Sequence, residues 1–228
     1  MPDFEKRVVE GVLNEAAEAG SANLRDLSRR FQFVQDMWPA MRLLQEDAYT
    51  RLRGWDTIKP EDIPEEGVDA QEVLSVLQAG AESTAEEKKR EAHFSIAPEV
   101  ADVRVHANAG ALYFILRNAV YNPLKKDYVG ASRVDVSVGD SSDQKSLVVT
   151  IHDDGYGFDP ERLEDVFEPG GTGAKSKTEG TGLGMAYADK RLESMGGSIR
   201  IETDRTALQS EDDTKYGSTV TVEVPLKE

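Results

Sequence analysis

Asp153 ends the run Val148-Val149-Thr150-Ile151-His152-Asp153 and is followed at once by Gly155 and Gly157 in D-D-G-Y-G-F. An ionised carboxylate only accepts hydrogen bonds, so at a strand end it suits an exocyclic amino group such as that of adenine. Glycines two and four residues on let a planar ligand approach the backbone closely. On its own the segment reads equally well as an ordinary Asp-Gly turn. A second cluster, E-G-T-G-L-G-M-A from Glu179 to Ala186, opens a helix. Glycines at 180, 182 and 184 free successive N–H groups where the helix dipole favours an anion, which makes a phosphate cradle. The strand-and-crossover unit of the dinucleotide-binding fingerprint does not precede it, and no Gly-Lys-Ser/Thr ending is present. Asn118, in L-R-N-A-V, is the third piece; alone it is an ordinary core amide. In order, the three give an amide, a base-reading carboxylate with glycines and, beyond a lid-like loop, an anion cradle.

The elements that must position these groups follow from hydrophobic periodicity. Residues 4–19 form a short amphipathic helix, with Phe4, Val8, Val12 and Ala16 four apart. A longer helix over 23–53 carries Leu24, Leu27, Phe31, Val34, Trp38, Met41, Ala48 and Leu52 in alternating three- and four-residue steps, with a kink expected at Pro39. That seam predicts a dimer through the N-terminal helices, with an intrachain hairpin as the alternative. GWDTIKPEDIPEEG then reads as a linker. The division is therefore 1–54 helical and dimerisation-like, 55–67 linker, and 68–228 a further domain. Within the last, helices are expected at 69–92, 108–122 and 183–195. Strands are expected at 93–96, 103–106, 133–138, 147–152, 198–203 and 218–224. Helices and mostly antiparallel strands in this order predict an α+β two-layer sandwich, one sheet covered on one face.

The 228 residues carry 27 Lys plus Arg against 43 Asp plus Glu, a formal charge of -16, which opposes a nucleic-acid or anionic membrane partner. Cysteine is absent, so disulfides, thiolate nucleophiles and Cys-held metals are excluded. No signal-like core or long apolar run occurs, and the chain is expected to be cytoplasmic without a membrane segment.

The set L-R-N-A, D-D-G-Y-G-F, V-F-E-P, G-T-G-L-G-M-A and the closing G-S-T-V-T-V-E-V-P resembles the ATP-binding domain of sensor histidine kinases. That domain belongs to the superfamily shared with gyrase, the mismatch-repair ATPases and a heat-shock chaperone. The resemblance covers about 68–226. It implies a sandwich of the histidine-kinase ATPase (Bergerat) type, preceded by a helical hairpin or dimerisation helices. It also implies ATP and Mg²⁺ as cofactors. Asn118 would hold Mg²⁺, Lys125 would touch a phosphate, and Asp153 would accept from the adenine amino group, with Gly155 and Gly157 shaping that wall. Residues 168–180 would form the ATP lid, hinged at Phe167. Gly180, Gly182, Leu183 and Gly184 would wrap the triphosphate, and Ser218 would order a water beside Asp153. Lys175 and Lys177 in the lid would reach the terminal phosphate, or stay solvated.

Three positions depart from the family. Phe114 stands where the hydrolysing branches have a Glu that activates water, and a phenyl ring cannot take a proton. Tyr121 stands where a basic residue is usual. Residues 1–92 contain no His, so no phosphoacceptor is found there, and Val34 occupies the place before Pro39 where it is expected. The resemblance therefore implies a protein histidine kinase that transfers the γ-phosphate to a His on a partner or on an absent segment, with a response regulator or a His-bearing phosphotransfer protein as partner. A kinase-like scaffold that regulates partner binding through lid closure is the alternative, and an anti-sigma-type serine kinase a third.

Overall fold

A computed structural model describes residues 59–125, 129–169, 171, 184–203 and 216–227. The readings for 4–19 and 23–53, the dimer seam with them, and the lid lysines all lie outside the described residues. The elements run β1 (Val68–Asp69), α1 (Ala70–Lys88), β2 (Glu91–Ile96), β3 (Arg104–Val105), α2 (Ala109–Lys125), β4 (Arg133–Asp140), β5 (Ser146–Asp153), α3 (Gly184–Ser194), β6 (Ser198–Thr203) and β7 (Ser218–Pro225).

Alternation of apolar and polar residues decides the sheet. Val134, Val136 and Val138 of β4, Leu147, Val149 and Ile151 of β5, and Val220, Val222 and Val224 of β7 are all buried, while their neighbours are not. One face therefore meets helices and the other meets solvent, which is the two-layer α+β sandwich. The five strands lie in the order β2-β4-β5-β7-β6. Every pairing is antiparallel except β2–β4, where Glu91 to Ile96 run parallel to Arg133 to Val138. A parallel pair needs a long crossover, and α2 supplies it. This helix is buried almost all round, from Gly110 to Leu124, between α1, α3 and the sheet. Each fully covered Leu, Ile or Val there contributes roughly 1.5–3 kcal/mol.

The structure corrects several expected boundaries. The helix expected to reach 92 stops at Lys88, because Lys89 turns left-handed at φ 54 and frees Glu91 and Ala92 to pair with β4. Asp69, expected inside that helix, caps it instead: its carboxylate accepts from the N–H groups of Gln71 (2.9 Å) and Glu72 (3.3 Å). The strand expected at 103–106 is only Arg104–Val105, paired with β1 in a separate two-stranded sheet. Helix α2 runs past 122 to Lys125, its last turn crossing Pro123, whose carbonyl accepts from the Arg90 guanidinium. Upstream, Pro60–Asp62 form a 3-10 turn, Ile63 is buried, and the Asn108 amide donates to the Asp62 carbonyl at 2.9 Å.

Candidate functional site

Parity along β5 aims the chemistry. Leu147, Val149, Ile151 and Asp153 share the helix-covered face, so the last of them places a carboxylate at the end of the sheet, 6 % exposed. Asp153 lies between Val134 of β4 and Ser218 of β7. Its Oδ1 accepts from the Gly155 N–H at 2.9 Å and its Oδ2 from the Ser218 hydroxyl. Ser218, expected to help order a water beside Asp153, donates to the carboxylate itself. Burial pushes the Asp153 pKa above the usual carboxylate range, opposed by the Ser218 and Gly155 donors. The neighbouring Asp154 does different work: it accepts from Ser132 N–H (2.7 Å), Arg133 N–H (2.9 Å) and the Ser132 hydroxyl (2.6 Å), tying the start of β4 to the end of β5.

Gly155 is required by crowding. A Cβ there would lie 2.4 Å from the Val129 carbonyl oxygen and 2.7 Å from Asp153 Oδ1. Gly157 is required by conformation, at φ +71, and it sits against Thr203 Oγ1 and the Gly217 carbonyl. The Thr203 hydroxyl accepts from the Phe158 N–H (3.2 Å) and donates to the Gly217 carbonyl (3.2 Å). It therefore clamps the turn after Asp153 to the strand that carries Ser218. The sequence reading missed Thr203; its signal was its place at the end of β6, opposite Ser218 in the ladder.

Asn118 lies on the middle of α2. Its Nδ2 donates to the Phe114 carbonyl at 2.9 Å, which fixes the amide and commits the other atom, Oδ1, to a different direction. That oxygen faces the first residue of α3: a Cβ on Gly184 would sit 3.3 Å from it. The structure therefore brings Asn118 and Gly184 together, as it does Asp153, Gly155, Gly157 and Ser218. A neutral amide oxygen is a hard donor of the kind that Mg²⁺ takes, few of its positions going to protein and the others to water and phosphate. Among the described residues no group of three or more His, Asp or Glu could hold a metal by itself.

Phe114 is buried, and the guanidinium of the fully buried Arg191 on α3 lies 5.2 Å from its ring centroid. Arg191 was not singled out from the sequence; its signal was its place on the stripe of Ala188 and Leu192. Lys125 stands over the Tyr121 ring, 4.9 Å from the centroid, and Arg117 lies 5.1 Å from the same ring. The Lys125 ammonium is lowered in pKa by burial first and by Arg117 second. The structure thus seats Lys125 on an aromatic face and shows no contact between it and Asn118. Phe167, the expected hinge, packs half-buried against the core next to buried Val166. Lys175, Lys177, Gly180, Gly182 and Leu183 lie outside the described residues. Among those described, no helix is long and apolar enough to cross a membrane.

Comparisons with known proteins agree with this geometry. Residues 107–228 match the family of histidine kinase-, DNA gyrase B- and HSP90-like ATPases. The histidine protein kinase SaeS of Staphylococcus aureus is 33% identical over 93 residues, 40% of this chain and 26% of SaeS, so the match spans about a quarter of that relative's length. Among solved structures, the nucleotide-free catalytic domain of histidine kinase ThkA superposes with a TM-score of 0.53 at 22% identity, over 69% of this chain and 93% of that one. Acinetobacter baumannii histidine kinase AdeS gives 0.51 at 15% identity, over 97% and 95%. Full-length ShkA, solved with AMPPNP, gives 0.57 at 20% identity, over 90% and 39%. With more than half of its length inside the matched family, the chain belongs to the histidine kinase-, DNA gyrase B- and HSP90-like ATPases.

Proposed function

We propose that the chain binds ATP with Mg²⁺ and passes the γ-phosphoryl group to a histidine on a partner or on an absent segment, a response regulator or a His-bearing phosphotransfer protein being the partner. The observation that carries this is the placement of Asp153, a buried acceptor held by Ser218 and Gly155, on the same side of the sheet as the Asn118 oxygen and the start of α3. Asp153 would accept from the adenine amino group, and its fixed rotamer selects a donor at that position of the base. Asn118 Oδ1 would hold Mg²⁺, which when bound neutralises phosphate charge. The N–H groups at the start of α3 would face the phosphates, as helix N-termini do for anions. Phosphoryl transfer depends mainly on such positioning and charge neutralisation, so it needs no base at position 114. Activation of water does need one, and the buried Phe114 ring supplies none. Slow hydrolysis with retained transfer is the expected pattern. ShkA, of the same fold, is seen with AMPPNP, which supports the nucleotide assignment. The helices read at 1–54 would pair two copies.

Phe114 also favours a second reading, a scaffold in which ATP changes partner affinity without transfer. That requires nucleotide to bind one lid state better than the other. Incubation with γ-labelled ATP and candidate His-bearing partners separates the two. Label on a partner histidine supports the kinase; binding without any transfer supports the scaffold.

A further inference from the structure

Among the described residues only two ionisable side chains are buried, Asp153 and Arg191, and Arg191 is buried completely. It lies on α3, whose first residue is Gly184. Gly184, Ala188 and Arg191 follow one another at steps of four and three, so they form a single stripe along that helix. At about 1.5 Å of rise per residue, roughly 10 Å of axis separates the two ends of the stripe. Both ends meet α2. At the first, the Gly184 backbone comes so near Asn118 that a Cβ would lie 3.3 Å from Oδ1 and 3.4 Å from Cγ. At the second, the Arg191 guanidinium stands over the Phe114 ring, 5.2 Å from its centroid. Phe114 and Asn118 lie one turn apart on α2 and are tied by the bond from Asn118 Nδ2 to the Phe114 carbonyl at 2.9 Å.

Two helices that touch at one point can pivot about it. A second contact two turns away fixes both tilt and separation, and the buried Ala188 between the two is too small to do so. An aliphatic side chain would fill the place of Arg191 without the cost of burying a charge. What it lacks is direction: a planar guanidinium seats on the face of an aromatic ring, whereas aliphatic groups slide over one another. We propose that Arg191 is a positioning residue for the nucleotide site, its stack on Phe114 setting the gap between Asn118 Oδ1 and the first N–H groups of α3. This rests on the binding of ATP with Mg²⁺ proposed above. Mg²⁺ holds its oxygens at about 2.0–2.1 Å in a near-octahedral shell, so a small drift of α3 would part the amide oxygen from phosphates sharing the ion. The base end is independent of the stack, because Asp153, Gly155 and Ser218 belong to the sheet and its turn.

The test uses the full chain and calorimetric titration of ATP, once with Mg²⁺ and once with a chelator. Arg191→Met and Phe114→Leu should each reduce the gain in affinity that Mg²⁺ gives by about tenfold, the scale on which outer partners of a metal ligand act. Affinity for metal-free ATP should stay as in the wild type. In an Asn118→Ala background, neither substitution should reduce the gain further. Phe114→Leu exchanges one apolar side chain for another and carries the test where Arg191→Met fails to fold. An undiminished gain overturns the inference. So does an equal fall in both affinities, which marks a merely structural role, and so does a further loss on top of Asn118→Ala. In each of these cases the wild type still binds ATP with Mg²⁺ and the kinase reading stands. A wild-type chain that binds no ATP overturns both.

Discussion

Replacing Gly155 by alanine tests whether the turn after Asp153 is shaped for a ligand or is merely a turn. The new Cβ would lie 2.4 Å from the Val129 oxygen, 2.7 Å from Asp153 Oδ1 and 3.0 Å from Val129 Cγ1. Ordinary van der Waals contact begins near 3.4 Å, so something must move by about 1 Å, a shift typical of overpacked sites. Two groups can give. The Val129 carbonyl can leave the Tyr156 N–H, which it holds at 2.9 Å, or the Asp153 carboxylate can turn off the Gly155 N–H, also at 2.9 Å. Either loses one hydrogen bond, about 0.5–1.5 kcal/mol, on top of an overpacking cost of about 1–3 kcal/mol. We expect nucleotide affinity to fall by about 1–3 kcal/mol, roughly five- to 150-fold, with a measurable loss of stability. Gly139→Ala is the control: its Cβ would meet only the Ala97 Cβ at 4.0 Å, and binding should be unchanged. The assays are calorimetric titration with a non-hydrolysable ATP analogue and urea unfolding. A Gly155→Ala protein that matches wild type in both would refute the reasoning.

Further outcomes follow from the same contacts. Burial raises the Asp153 pKa, and the ionised form is the acceptor, so affinity for ATP should fall as pH drops through that raised value, above the range of an ordinary Asp. Stability runs the other way: the folded state holds this proton more tightly than the unfolded one, so the residue's contribution is complete below the ordinary Asp pKa and lost as pH rises through the raised one. Ser218→Ala removes a donor that lowers the pKa, and titrations of affinity against pH should show the midpoint moving upward. Asn118→Ala should reduce the gain in ATP affinity that Mg²⁺ gives by at least about tenfold, read by titrations with and without the ion. Tyr121 is pushed up to about 12, chiefly by burial, and stays neutral; a Cβ on Gly80 would lie 2.1 Å from its hydroxyl oxygen. Gly80→Ala should therefore cost about 1–3 kcal/mol in urea unfolding, with Tyr121→Phe restoring part of that loss in the double variant.

Strict alternation made β4, β5, β6 and β7 readable from the chain, because one face of each is buried and the other is wet. The same parity already pointed Asp153 inward, and the glycine spacing marked the turn. Contacts distant in sequence were not readable. Glu91 and Ala92 follow a run of Glu and Lys that favours helix, and only pairing with a strand some forty residues later makes them β. The seat of Lys125 on the Tyr121 ring, one turn back, could not be read from the letters either. The two aspartates of D-D-G look alike as letters; strand parity, with Ser132 and Ser218 on opposite sides, gives them separate tasks.

In the proposed site, the buried carboxylate of Asp153 reads the purine of a bound nucleotide. Calorimetric titration of ATP with Mg²⁺ into the wild-type chain and into Asp153→Ala measures it most directly. The expected result is saturable binding by the wild type, weakened in the variant by about 1–3 kcal/mol, the cost of stranding the base's donor. Equal affinity of the two proteins for ATP would contradict it.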